Sequence, residues 1–112
     1  MRSRLLLLPA LVLLAATAAG AVPDTSEITF NVRPGHPMRL VAVNQSGEGN
    51  STSTTWVIVR VDGNLAAVDV QPTLRAETSA TVRTVGRHRA VANCGNHIAS
   101  VVSCTITAAP AR

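Results

Sequence analysis

The sequence predicts an all-β fold, a sandwich of seven strands, and three observations carry that prediction. Valine and threonine dominate its apolar runs and recur with a period of two, as a half-buried pleated strand requires. Glycine, proline, asparagine and aspartate fall between the runs at regular intervals, the punctuation of short strands joined by turns. No segment after the N-terminal apolar run holds a helical stripe long enough to compete.

The strands follow in order along the chain. Residues 28–32 and 38–44 are separated by Pro34-Gly35-His36-Pro37, and a polar run over 45–54 precedes the third strand, 55–61. In that strand Val57, Val59 and Val61 share one face while Trp56, Ile58 and Arg60 share the other. It leaves through Asp62-Gly63, a tight-turn signal, into residues 65–70. Gln71-Pro72 introduces the fifth run, 74–84, and Gly86 follows it. In the sixth, 88–94, His88, Ala90, Ala92 and Cys94 alternate with Arg89, Val91 and Asn93. After Gly95-Asn96 the last strand, 100–107, puts Val102, Cys104 and Ile106 on one face. Cys94 and Cys104 then sit on apolar faces of successive strands joined by a hairpin loop. That geometry allows a bridge between neighbouring strands, unlike the inter-sheet bridge of antibody domains. Seven strands in roughly 90 residues is the size of an immunoglobulin-like sandwich.

Part of the 112-residue chain is not domain. Arg2 and Arg4 precede an apolar run over residues 5–16, and Ala19-Gly20-Ala21 offers a small-residue cleavage site. These are the three parts of a secretory signal peptide, and the apolar run is short for a bilayer, which needs about 20 residues. The expectation is a leader at 1–21, one domain at 22–108 and a short tail at 109–112. The mature chain is expected to be secreted, extracellular or periplasmic, with no membrane span. All ten basic residues are arginine, and the net charge of +4 falls to +2 once Arg2 and Arg4 leave. The remaining charges are scattered, with no basic patch or nucleic-acid motif, so no nucleic acid is expected as a partner. In an exported chain two cysteines read as one disulfide, Cys94–Cys104, stabilising the fold by ~2–3 kcal/mol in the chain-entropy model.

Several segments in sequence resemble a known family. Val43-Asn44-Gln45-Ser46-Gly47 resembles a strand ending in an Asn-x-x-Gly turn, and Val57-x-Val59-x-Val61-Asp62-Gly63 resembles a V-x-L-Y-V-D-G strand and turn. Leu74-x-Ala76-x-Thr78-Ser79-Ala80-Thr81-Val82 is similar to L-x-A-G-x-S-x-T-V, and Gly86-Arg87-His88-Arg89-Ala90-Val91-Ala92 to G-x-H-x-V-x-A. In this order they resemble CARDB, the cell-adhesion-related domain found in bacteria, over about residues 28–107. The resemblance implies an extracellular immunoglobulin-like module that binds or spaces, with no catalytic residues to carry over. The chain departs from the family after the sixth strand. Cys94-Gly95-Asn96-His97-Ile98 replaces an acidic, asparagine-rich segment there.

Candidate functional residues are few. Trp56, Ile58 and Arg60, with Arg89 and Val91 on a strand expected alongside, would form an aromatic-aliphatic face flanked by arginines. Tryptophan and arginine are favoured at binding hot spots. A register slip of one residue would instead turn Trp56 into the core. His36, His88 and His97 lie in a turn, at a strand start and in a loop, so no metal site is expected, and His88 reads as a packed corner residue near Gly86. The acids show no pairing suited to general acid/base work, and no nucleophile elbow is present. Asn44-Gln45-Ser46 and Asn50-Ser51-Thr52 match the glycosylation sequon but read as loop polarity. The expected function is a secreted binding or adhesion-type module recognising a protein or glycan at the cell surface, not an enzyme and without a cofactor. The alternative is an inhibitor of an extracellular hydrolase presenting loop 45–54 or 95–99.

Overall fold

The computed structural model describes residues 24–47 and 53–111; the expected leader lies outside them. Among the described residues seven strands form: β1 (Thr25–Val32), β2 (Met38–Ser46), β3 (Thr55–Val61), β4 (Asn64–Gln71), β5 (Arg75–Val82), β6 (Gly86–Asn96) and β7 (Val101–Pro110). Among the described residues there is no helix. The strands make two antiparallel sheets, one ordered β1-β6-β3-β4 and the other β5-β2-β7.

The alternation read from the sequence sets which side of each strand faces inward. Phe30 and Val32, Leu40 and Ala42, Val57 and Val59, Ala90 and Ala92, with Ala76, Cys94 and Ile106, form one buried cluster between the sheets. Within it Leu40, Val57 and Val59 are the largest fully buried apolar side chains. The turn after β3 follows its Asp-Gly signal: Asp62 and Gly63 take φ of 51° and 86°, the left-handed pair of a type I′ hairpin. Strand ends differ from the expectation where backbone pairing continues. β1 begins at Thr25 because Thr25 to Glu27 pair with Asn93 to Val91. β7 runs through Ala109 and Pro110, which lie opposite Arg39 and Met38, so these two tail positions belong to the sheet.

Two readings of register are corrected. Cys94 and Cys104 are bonded, with Cα atoms 5.9 Å apart, but β6 and β7 are not partners. β6 lies between β1 and β3, while β7 pairs with β2 in the opposite sheet, so the bridge joins the two sheets. The link between them is no hairpin. The Asn96 side chain accepts from the N–H groups of Ile98 (2.8 Å) and Ala99 (2.6 Å), and Gly47 N–H donates to Ser100 O at 2.7 Å. These bonds carry the chain across the sandwich to the end of β2. Val102 is the second correction. A bulge places Ser103 opposite Gln45 and Val101 opposite Ser46, so Val102 is the extra residue and turns out to solvent.

Candidate functional site

The outer face of the four-stranded sheet gathers the residues expected to bind. Across it the strand pairings make rows: Gly95, Trp56, Val70; then Thr25, Asn93, Ile58, Val68; then Glu27, Val91, Arg60, Leu65. Trp56, Ile58 and Arg60 share this face with Arg89 and Val91. The register is therefore the one that turns Trp56 outward.

The indole is nevertheless half-buried, because it lies flat over the strand beside it. A Cβ at Gly95 would come within 2.3 Å of two indole carbons, so only glycine leaves room for the ring. This is an aromatic side chain covering a strand glycine. Beneath it a polar tie holds the backbone. Asn44, fully buried on β2 of the opposite sheet, donates through Nδ2 to Trp56 O (2.8 Å) and Gly95 O (2.9 Å). Ser46 Oγ donates to Asn44 Oδ1 at 3.1 Å. Asn44 thus stands inside the fold and is not loop polarity, and its amide is closed to glycosylation in the folded chain.

The arginines differ in how far they are committed. Arg89 Nε and Nη2 bond both carboxylate oxygens of Glu27, at 2.5 and 2.9 Å. That bond holds the Glu27 carboxyl below its ordinary pKa and raises that of Arg89. Among the described residues Arg60 bonds Asn93 Oδ1 alone, at 3.2 Å, on an exposed side chain. Three residues not anticipated complete the face: Leu65, Val68 and Val70 on the edge strand β4, 66, 50 and 57 % exposed. Their neighbours Asp69 and Gln71 point the other way. Asp69 Oδ2 accepts the Glu77 N–H of β5 at 3.0 Å, and Gln71 Nε2 donates to Asp69 Oδ1 at 2.8 Å. With polar residues facing the inner edge, the valines are left outside.

A second constellation lies at the end of the sandwich near the β3–β4 turn, in an open cleft of about 500 Å³ lined by Val61, Asp62, Ala66, residues 80–84 and His88. His88 stacks on Phe30 with centroids 5.5 Å apart. Its Nδ1 meets Asp62 Oδ2 and its Nε2 meets Thr84 O, both at 2.6 Å. A carbonyl can only accept, so Nε2 carries a proton. The bond to Asp62, reinforced by that to Thr84 O, raises the imidazole pKa against the opposing effect of burial. Asp62 is correspondingly lowered, first by His88 and then by the Arg89 N–H. With both ring nitrogens committed, the ring has no free lone pair for a general base; it clamps two turns together. His36 and His97 sit apart from it, His97 Nδ1 accepting from Thr54 N–H at 3.1 Å.

The clamp has a signed pH dependence. A raised His88 stabilises the fold below the ordinary imidazole pKa and loses that effect as pH rises through its folded value. A lowered Asp62 contributes above the ordinary carboxylate pKa and loses it as pH falls through its own folded value. The stability difference between the wild type and Asp62→Asn, measured by urea unfolding, should therefore be largest between about pH 4 and 6.5 and shrink on either side. Asparagine accepts the left-handed turn conformation as well as aspartate, so the variant isolates the charge. A difference flat from acid to alkaline pH would show that the pair is not an ion pair.

Comparison with protein-family models, with curated proteins and with solved structures found no match.

Proposed function

We propose that the chain is an exported immunoglobulin-like binding module of the CARDB type, and that the outer face of its four-stranded sheet takes a protein or glycan at the cell surface. One observation carries this reading: Trp56, Ile58, Leu65, Val68 and Val70 are contiguous on that face, with Arg60 at their rim. Exposed apolar clusters rimmed by polar groups mark interaction sites, and tryptophan and arginine are both enriched at binding hot spots. Strand number, two antiparallel sheets and a disulfide support the class. The end strands depart from the antibody order, in which the first lies beside the second and the last beside the sixth. Here β1 lies beside β6 and β7 beside β2.

The inhibitor reading retains one supporting observation. Loop 97–100 is held rigid by Asn96 and presents an exposed Ile98, and a pre-organised loop lowers the cost of binding. Capture from culture supernatant and envelope extract by the wild type, Trp56→Ala and Thr105→Ala separates the two. Trp56→Ala should weaken capture about 30-fold, the effect of a hot-spot residue. Thr105→Ala, exposed on the opposite sheet, should leave it unchanged. Capture indifferent to Trp56, together with slowing of a secreted hydrolase, would favour the loop instead.

A further inference from the structure

The four sheet edges are not alike. β1 carries Glu27, Thr29 and Asn31 outward, with Glu27 paired to Arg89. β5 carries Arg75 and Glu77, and Asp69 already occupies its Glu77 N–H. β7 ends in proline and has its bulge at Val102. Charges, proline and bulges are the devices that keep edge strands from pairing. β4 has a bulge only at its start, where Ala66 is the extra residue. Its one charge, Asp69, is turned inward and satisfied by two hydrogen bonds. From Ala67 to Gln71 the outward side chains are valines, both at least half exposed.

We infer that the β4 edge pairs with the β4 edge of a second copy of this chain, antiparallel about a two-fold axis through Val68. That register sets Val68 against its own copy on the outer face and Val70 against the bulge residue Ala66, so no charged side chain is set against either valine. It also places Asp69 opposite Ala67 and so avoids like charges directly across the pair. An axis at Asp69 would oppose the two carboxylates, and one at Ala67 would set Val70 against Asn64.

A second copy is a better occupant than an extended peptide for an energetic reason. The paired stretch, residues 65–71 on each copy, is about 24 Å long, which puts the contact at the small end of specific interfaces. A disordered segment loses conformational entropy when it joins an edge, whereas β4 is already formed. At this area that difference decides the occupant, and the dimer should be concentration-dependent, in the micromolar range. The two-fold axis runs perpendicular to the sheet, so both outer faces look the same way and two Trp56 anchors would meet one surface. Bivalent attachment strengthens binding without a new contact. Only this last consequence rests on the proposed function.

The purified mature protein, with no partner added, is measured by light scattering and sedimentation between about 1 and 200 µM. The expected result is a doubling of mass with concentration, and a single-copy mass throughout for Val68→Arg with an unchanged far-UV circular dichroism spectrum. Val68→Cys should close a dimer-linking disulfide on mild oxidation, since residues on the axis meet at disulfide distance; Val102→Cys should not. A wild type of single-copy mass over the whole range, a dimer that survives Val68→Arg, or no cross-link at Val68 would overturn the inference. Each of these leaves the Trp56 capture experiment standing.

Discussion

Replacing Cys94 and Cys104 together by alanine is expected to lower the unfolding free energy by about 3 kcal/mol. For a domain of this size that corresponds to a fall in Tm of roughly 12–24 °C. The bond closes a loop of sequence separation 10, and it joins β6 to β7 across the sandwich, where no backbone ladder connects them. Much of the effect acts on the unfolded chain, which the cross-link restrains. The urea m-value should accordingly rise in the double variant, because its unfolded state exposes more surface. A loss below about 1 kcal/mol with an unchanged m-value would mean that the bridge does not constrain the chain.

Asn44→Ala is expected to cost about 3 kcal/mol by a different route. Asn44 is fully buried and joins the sheets through Trp56 O and Gly95 O. Removing its amide takes one hydrogen-bond donor from each of two carbonyls, strands Ser46 Oγ and leaves a small cavity. All of this happens in the folded state, so the m-value should stay constant while the midpoint falls. Because those carbonyls flank the Trp56–Gly95 pair, the emission of the single tryptophan should shift in the folded variant. A loss under about 1 kcal/mol with unmoved emission would contradict the role given to the tie.

The two substitutions also mark where the sequence was legible. Strand positions were readable because period-two alternation needs no knowledge of partners. Val57, Val59 and Val61 are in phase with one another and favour an outward Trp56, but a slip of one residue would reverse that direction, and only the strand pairings decide it. Which sheet a strand joins was not readable. Alternation says which side chains face inward but is silent on which neighbour supplies the ladder, so it cannot distinguish β7 beside β6 from β7 beside β2, where it pairs. At Val102 a bulge shifts the phase by one residue, which alternation alone does not signal. Asn44 carried a usable signal: Leu40, Ala42, Asn44 and Ser46 are in phase and all buried, and the sequon pattern concealed it. Val68 and Val70 were the hardest to place. In most half-buried strands valines alternating with Asp69 and Gln71 would face the core. Here β5 supplies a backbone N–H for Asp69 on the inner side, and that contact depends on tertiary structure alone.

The outer face of β3 and β4 is the centre of the functional reading, and Trp56 can report on it directly. The protein, labelled with 5-fluorotryptophan, carries one fluorine resonance, because the chain has a single tryptophan. Titrating it with the captured partner should shift or broaden that resonance in step with binding, as the indole edge leaves water for the interface. A partner that saturates the protein while the Trp56 resonance stays where it was would contradict the assignment of this face.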